Sequence, residues 1–362
     1  MKELNIRHGE IKSSIFILNN AFDNIGRQIE SLNRTVFKAA IACDSNTKRY
    51  ALLTASSLRK RGFKVVLIEL PSGEKSKSLK CAQMLYCSMI DFGIDRWSCL
   101  ISVGGGSLGD VAGFAASTYM RGIPFYQVPT TLLSQVDASI GGKTAVNLPQ
   151  GKNLVGTFYQ PKAVFIDPNI LNSLENKDYL NGLAEIVKYA MIKDAEMFSY
   201  LESKADDIWK KKLTVLENII YRCVSIKTQV VQKDERESGL RMILNYGHTV
   251  GHAIEKVCKY KISHGQAIAI GMNCESVISR ELGMLKESVI KRQAELLERF
   301  DLQVHISKEL NLKEIYKSMF LDKKSAGGKI RFVLPSDIGA VKYPVTAESE
   351  VIWRSLLQCQ KK

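Results

Sequence analysis

The sequence predicts two domains of different texture: a Rossmann-like α/β domain over residues 1–168 and a mainly α-helical domain over residues 169–362. Three observations carry this. Short apolar runs alternate with helical patterns as far as AVFIDP, as strands of a largely parallel sheet covered by helices do. One of those runs, WSCLISV, leads into GGGSLGD, whose Gly104, Gly106 and Gly109 fit GxGxxG at a strand-to-helix turn. Beyond about Asn169, long amphipathic patterns take over. At 362 residues the chain has the length of about two domains.

Taken in order, SIFILNN and VFKAAIACDSN read as strands, and Thr47 to Arg61 as a helix closed by Gly62. KVVLIEL is the next strand, followed by the loop PSGEKSKS, a helix through about Phe92, WSCLISV, and an Ala-rich helix VAGFAASTYM after the glycine turn. Glycines at such a turn let backbone amides and the helix N-terminus hold a pyrophosphate. No acidic residue stands about 20 positions later to take the ribose, as the usual fingerprint has it. Asp44, closing an earlier strand, and Glu74, after the following one, are the substitutes. The stretch Arg121 to Pro161 is polar, basic and glycine-rich, carries Arg121, Asp137, Lys143, Lys152 and Asn153, and reads as a long loop suited to a phosphate or carboxylate.

In the second half, Glu185 and Lys188 stand three apart near an expected helix start, the spacing of a surface ion pair. GGKIRFVLPSDIGAVKYPV reads as a small strand pair. Three of the chain's five histidines, His248, His252 and His264, crowd into RMILNYGHTVGHAIEKVCKYKISHGQAIAIGM beside Gly247, Gly251 and Gly265, which are read as letting backbone approach a ligand. His248 and His252 share a helix face, but the Glu of a zinc-protease helix is missing beside the first of them. The cluster reads as a metal or proton-transfer site.

Composition narrows the class. Hydrophobic content of 45% and charged content of 24% suit a soluble globular chain, no apolar run reaches the ~20 residues of a bilayer span, and the start has no signal-peptide core. Eight cysteines without a CxxC pair argue against a disulfide framework or a thiolate zinc site, leaving the cytoplasm as the expected address. The net charge of +14 could suit nucleic acid, a membrane surface or an anionic small substrate; it is spread along the chain without an aromatic-rich RNA motif, so much of it is expected to be solvated surface, with no nucleic-acid or membrane partner.

The motifs GGGSLGD, RGIPFYQVPTTLLSQVDASIGGKTAVN, KNLVGTF, GLAEIVK, DERESGLRMILNYGHTVGHAIE and SHGQAIAIGM together resemble the 3-dehydroquinate synthase family, sugar phosphate cyclases of the shikimate route to aromatic amino acids, from Asp44 to Lys324. The resemblance implies an N-terminal NAD-binding α/β domain, a C-terminal helical metal-binding domain, NAD and one divalent metal (Zn²⁺ or Co²⁺) as cofactors, and a homodimer. It implies Glu185, His248 and His264 as metal ligands, with His252 and Glu237 as proton-transfer groups. Arg121, Lys143, Asn153, Lys188, Lys227, Arg241, Asn245 and a lysine of the pair Lys323 and Lys324 are implied to hold a small phosphate-bearing substrate, and Asp137 to orient it. Asp44, Asn46, Glu74, Lys77, Gly105, Gly106, Ser107, Asp110, Thr130, Thr131 and Lys152 are implied to contact NAD.

The implied reaction turns 3-deoxy-D-arabino-heptulosonate 7-phosphate into 3-dehydroquinate and phosphate. It runs through oxidation at C5, loss of phosphate, reduction of the ketone and an aldol ring closure, with NAD regenerated. Two departures stand out: Ser107 where an apolar residue is frequent, and LNSLENKDYLNGLAE without the common Pro-x-Arg-Glu before the metal Glu. The alternatives are a related cyclase (amino-dehydroquinate or 2-deoxy-scyllo-inosose synthase) or a polyol dehydrogenase of the glycerol dehydrogenase type. Asn245 before YGHT speaks against the inosose enzymes, and the many phosphate-suited cations against the dehydrogenase.

Overall fold

The computed structural model describes residues 2–8, 11–33, 35–237, 239–320 and 330–361. They form two compact units, Met1–Leu174 with Lys227–Gln232, and Glu175–Ile226 with Lys233–Lys362.

The first unit is built on β1 (Lys2–His8), β2 (Ile11–Ile17), β3 (Lys38–Cys43), β4 (Lys64–Glu69), β5 (Cys99–Gly104), β6 (Phe125–Pro129) and β9 (Ala163–Ile166), one sheet in the order β1-β2-β9-β6-β5-β3-β4. Every neighbouring pair is parallel except β1 with β2. Period-2 alternation sorts the strand side chains. Ala39, Ile41, Cys43, Ile101 and Val103 pack in a core with Ile25 and Ile29 of α1 (Ile25–Leu32) and Ala55 and Leu58 of α2 (Lys48–Arg59). Ala40, Ala42 and Leu100 pack instead with Leu85 and Met89 of α3 (Leu79–Asp91) and Val111 and Ala115 of α4 (Gly106–Thr118). Burial on both faces is why these strands read as unbroken apolar runs. The order reverses between β5 and β3: β3 is followed outward by β4, while the chain from β5 winds the other way through β6 to β9. This is the switch point where doubly wound sheets open a crevice at their carboxyl ends, and Asp44 and the Gly104–Gly106 turn stand there.

The expected loop from Arg121 to Pro161 is structured. It contains β6, a π-helical turn at Ser134–Ala138, and an antiparallel hairpin of β7 (Lys143–Leu148) and β8 (Gly151–Phe158). Neither TAVNL nor NLVGTF shows a clean apolar–polar alternation, and Gly156 interrupts the second, so periodicity did not mark them. β1 and α1 are further elements that the sequence patterns did not single out.

The second unit holds α5 (Asn176–Lys193), α6 (Ala195–Trp209), most of α7 (Leu213–Lys233), α8 (His248–Val257), α9 (His264–Glu281), α10 (Glu287–Arg299), α11 (Leu312–Phe320), α12 (Ser349–Cys359) and the hairpin β10 (Phe332–Asp337) with β11 (Ala340–Val345). Helix α9 is central, buried from Ala267 through Ser279 and packed by α5, α8, α10, α12 and β10. A helix covered on all sides belongs in a core, and α9 takes Asn273, Glu275, Ser276 and Ser279 in with its apolar residues. The Glu185–Lys188 pair is neither near a helix start nor on the surface: it lies midway along α5, with side chains 1% and 2% exposed. Spacing showed that the two share a side, not which side. Among the described residues no helix is long and apolar enough to cross a membrane.

Candidate active site

Three helices of the second unit bring one ligand each to a common point. Glu185 comes from α5, and His248 and His264 are the first residues of α8 and α9. Their ligand atoms all lie within 4.8 Å of one another. The Nε2 atoms of His248 and His264 are 3.4 Å and 3.2 Å from the same oxygen, Oε1 of Glu185. Two ligands bonded at ~2.0–2.1 Å to one tetrahedral ion stand about 3.3 Å apart, which the two contacts to Glu185 Oε1 match, so the donor set suits a divalent cation. The far nitrogens are also placed: His248 Nδ1 faces the Tyr246 carbonyl at 3.1 Å and His264 Nδ1 faces Glu255 at 3.2 Å, which leaves both Nε2 atoms to the ion.

Charge in this cluster is strongly perturbed. Burial alone would favour the neutral acid at Glu185, but the Lys188 ammonium and the His248 ring hold its carboxyl well below the usual range. Burial takes His248 down to about 4, against the pull of Glu185. Burial also opposes the cation of His264, yet hydrogen bonds to Glu185 and Glu255 outweigh it and push the ring up to about 10. The triad therefore presents a carboxylate and one neutral imidazole ready-made, as a cation requires. His252 stands beside the triad and is not part of it, its ring centroid 5.1 Å from that of His248 and 6.4 Å from that of His264. Glu237 (φ 60) accepts a 2.6 Å hydrogen bond from Asn245. Arg241 is buried and held by the Glu235 carbonyl, and its backbone N donates to Asp234.

In the first unit the residues read as nucleotide contacts cluster at the switch point. Gly105 caps α4, and a Cβ on Gly106 would come within 3.0 Å of Ala138. Glu74 accepts from Ser107 at 2.8 Å and from Asn147 at 2.7 Å, with Lys152 3.5 Å away. Burial raises Glu74's pKa, but those hydrogen bonds and Lys152 outweigh it and keep the group ionised. Lys77 pairs with Asp110, whose pKa burial nevertheless raises. Asp44 uses Oδ1 to accept from the N and Oγ1 of Thr47, closing the start of α2. Thr130 donates its N–H to Gly104, Thr131 bonds Ser134, and Asn46 is exposed. Asp137 and Lys227 are joined through two contacts at 2.7 and 2.8 Å. Arg121, Lys143 and Asn153 are exposed, Arg121 and Asn153 with positive φ. Lys323 and Lys324 lie outside the described residues.

Residues 67–181 match the family model for the N-terminal part of 3-dehydroquinate synthase, and residues 182–325 that for its C-terminal part. The chain belongs to the 3-dehydroquinate synthase family. The 3-dehydroquinate synthase of Thermodesulfovibrio yellowstonii is 45% identical over 346 residues, which covers 94% of this chain and 96% of that protein. Among solved structures, 2-epi-5-epi-valiolone synthase from Streptomyces hygroscopicus subsp. jinggangensis, with NAD⁺ and Zn²⁺ bound, superposes with a TM-score of 0.88 at 26% identity over 98% of each chain. A 2-deoxy-scyllo-inosose synthase holding carbaglucose-6-phosphate, NAD⁺ and Co²⁺ gives 0.87 at 26% identity over 99% of this chain and 100% of that one.

Several members of the site escaped the sequence reading. Glu255 faces the far nitrogen of His264, Glu275 accepts from the backbone around His248, Asn147 backs Glu74, and Asn181 accepts the Gly265 N–H at 2.8 Å at the start of α9. The departure at Ser107 has a local role in holding Glu74. The glycines beside the histidines do not admit a ligand. A Cβ on Gly251 would lie 3.0 Å from the Ala267 carbonyl, and one on Gly265 would lie 2.6 Å from Asn181 Cα. They permit helix-to-helix contact, a correction to the sequence reading.

Proposed function

We propose that the chain is a 3-dehydroquinate synthase, a phosphate-eliminating lyase that converts 3-deoxy-D-arabino-heptulosonate 7-phosphate into 3-dehydroquinate and phosphate, working in the cytoplasm as a homodimer. The observation that carries this reading is the convergent Glu185–His248–His264 triad within a chain 45% identical to a 3-dehydroquinate synthase. When bound, Zn²⁺ or Co²⁺ supplies Lewis-acid polarisation of a substrate hydroxyl, and NAD⁺ takes up and returns a hydride.

The other tasks fall to side chains. Glu74, ionised and aimed by Ser107 and Asn147, accepts hydrogen bonds from a ribose, while the α4 N-terminus at Gly105 and Gly106 receives the pyrophosphate. Lys77 and Asp110 neutralise one another beside it. Arg241 and Lys188 meet the substrate's phosphate and carboxylate. Charge-assisted hydrogen bonds of this kind act most strongly where burial excludes water, as at Arg241 and Lys188. His252 moves a proton, since its imidazole adjoins the triad without belonging to it and can both give and take one. Asn245 fixes the Glu237 carboxylate as a second acid–base group.

The test is incubation of purified protein with the heptulosonate phosphate and NAD⁺ far below substrate, following phosphate. Many phosphates released per NAD⁺, abolished by a chelator and restored by Zn²⁺ or Co²⁺, is the expected result. Stoichiometric accumulation of NADH, or turnover of a carboxylate-free hexose phosphate in its place, overturns it.

A further inference from the structure

We propose that Glu255 is a positioning residue for the cation, holding the His264 imidazole with its Nε2 lone pair directed at the shared ligand point and strengthening its donation. This rests on the reading of Glu185, His248 and His264 as a metal site. The two histidines are anchored differently. The Nδ1 of His248 faces the carbonyl of Tyr246, two residues earlier in its own chain path, so the backbone that delivers this ligand also sets its ring. The Nδ1 of His264 faces a carboxylate oxygen of Glu255 at 3.2 Å, supplied by another helix. His264 is also the more open ligand, 30% exposed against 13% for His248, so its ring has more freedom to turn and more access to water. The anionic anchor thus sits on the ligand that needs one.

Its placement follows from helical spacing. Glu255 comes seven residues after His248 on α8, two turns along, and therefore shares a face with His248 and His252. Its side chain is only 12% exposed, which shields the contact to His264 from solvent. A carboxylate on the far nitrogen fixes the tautomer and makes the near nitrogen a better donor. Removing such a partner usually costs 10–100-fold in metal affinity.

The experiment uses the full chain stripped of metal, titrated with Zn²⁺ against a competing chelator, for the parent, Glu255→Gln and Glu255→Ala. Roughly 10–100-fold weaker binding is expected for Glu255→Ala, with Glu255→Gln in between because the amide still accepts the hydrogen bond without the charge. The visible absorption of the Co²⁺-loaded protein is expected to shift in Glu255→Gln, because the donor strength of His264 falls. Affinities within twofold of the parent in both variants overturn the proposal. So does an unchanged Co²⁺ spectrum in Glu255→Gln together with a lowered thermal midpoint of the metal-free protein, which would mark Glu255 as merely structural. A parent that takes up no ion, or that binds as well after His248→Ala, overturns the metal-site reading itself. Parent binding that His248→Ala weakens but that both Glu255 variants keep at full strength overturns this inference alone.

Discussion

Glu275 Oε2 lies 2.7 Å from the backbone nitrogen of Gly247, the residue that caps α8. Its other oxygen takes the N–H groups of Thr249 and Val250 at 3.1 and 3.2 Å. Gly247, at φ 79, has no side chain with which to cap the helix. A fully buried carboxylate from the middle of α9 does so in its place, satisfying donors that a helix start leaves orphaned and favouring the positive end of its dipole. Because His248 is the first residue of α8, the same contact fixes where that ligand stands. Glu275→Ala should leave buried N–H groups unpaired and lower unfolding free energy by on the order of 3 kcal/mol or more, with Glu275→Gln between it and the parent. Urea unfolding midpoints check this, and Zn²⁺ affinity should fall with them.

The switch point makes a separate prediction. Glu74 keeps its charge through Ser107, Asn147 and Lys152. Glu74→Ala removes charge-assisted acceptors worth roughly 1.5–3 kcal/mol, so NAD⁺ should bind about 10- to 100-fold more weakly. Zn²⁺ stoichiometry should not change, since the triad belongs to the other compact unit. Calorimetric titration of the two ligands separates these outcomes. An equal loss of both would point to unfolding.

What the sequence disclosed follows from where information is local. Strands buried on both faces had no choice but to be apolar, and the glycine turn at Gly104 to Gly109 announced itself by composition. Scarce histidines, close in the chain, marked their own cluster. Burial was less legible. Glu185 and Lys188 have the spacing of an ordinary surface pair, and only the tertiary packing around α5 takes both out of water. Partners distant in the chain were silent: Glu275 is 28 residues from Gly247, and Glu74 is 73 from Asn147. The hairpin of β7 and β8 was obscured because neither strand alternates cleanly and Gly156 interrupts the second.

Acid should act through Asp194. Burial raises the pKa of this carboxyl, but hydrogen bonds from Arg222 and the Met197 N–H outweigh it and the net direction is down. A folded pKa below the unfolded value of about 3.9 means stability that is fully present above that value and lost as pH falls through the folded one. Asp194→Asn can still cap α6 but gives up the ion pair with Arg222, in which the two side chains are 19% and 26% exposed. After allowance for solvent screening, the variant should be less stable by about 1 kcal/mol at neutral pH. The difference should hold down to about pH 4 and then close. Denaturant unfolding at stepped pH values measures it, and a gap that widened in acid would contradict the assignment.

Gly271 decides whether α8 and α9 can carry their histidines to one ion. A Cβ built there would lie 2.0 Å from the Gly247 carbonyl oxygen and 2.8 Å from the Gly251 nitrogen, both backbone atoms of the start of α8. No rotamer change relieves a clash with backbone, so the helices must separate, and overpacking of this kind costs 1–3 kcal/mol or more. Gly271→Ala should therefore lower thermal stability by several degrees and weaken Zn²⁺ binding beyond what the stability loss explains, because His248 leads α8 and His264 leads α9. Gly151→Ala is the control: its Cβ would meet only the end of the Leu154 side chain, 3.2 Å away, which can move aside. Equal behaviour of the two alanine variants in metal titration would show that the close crossing of α8 and α9 does not set the ligand spacing.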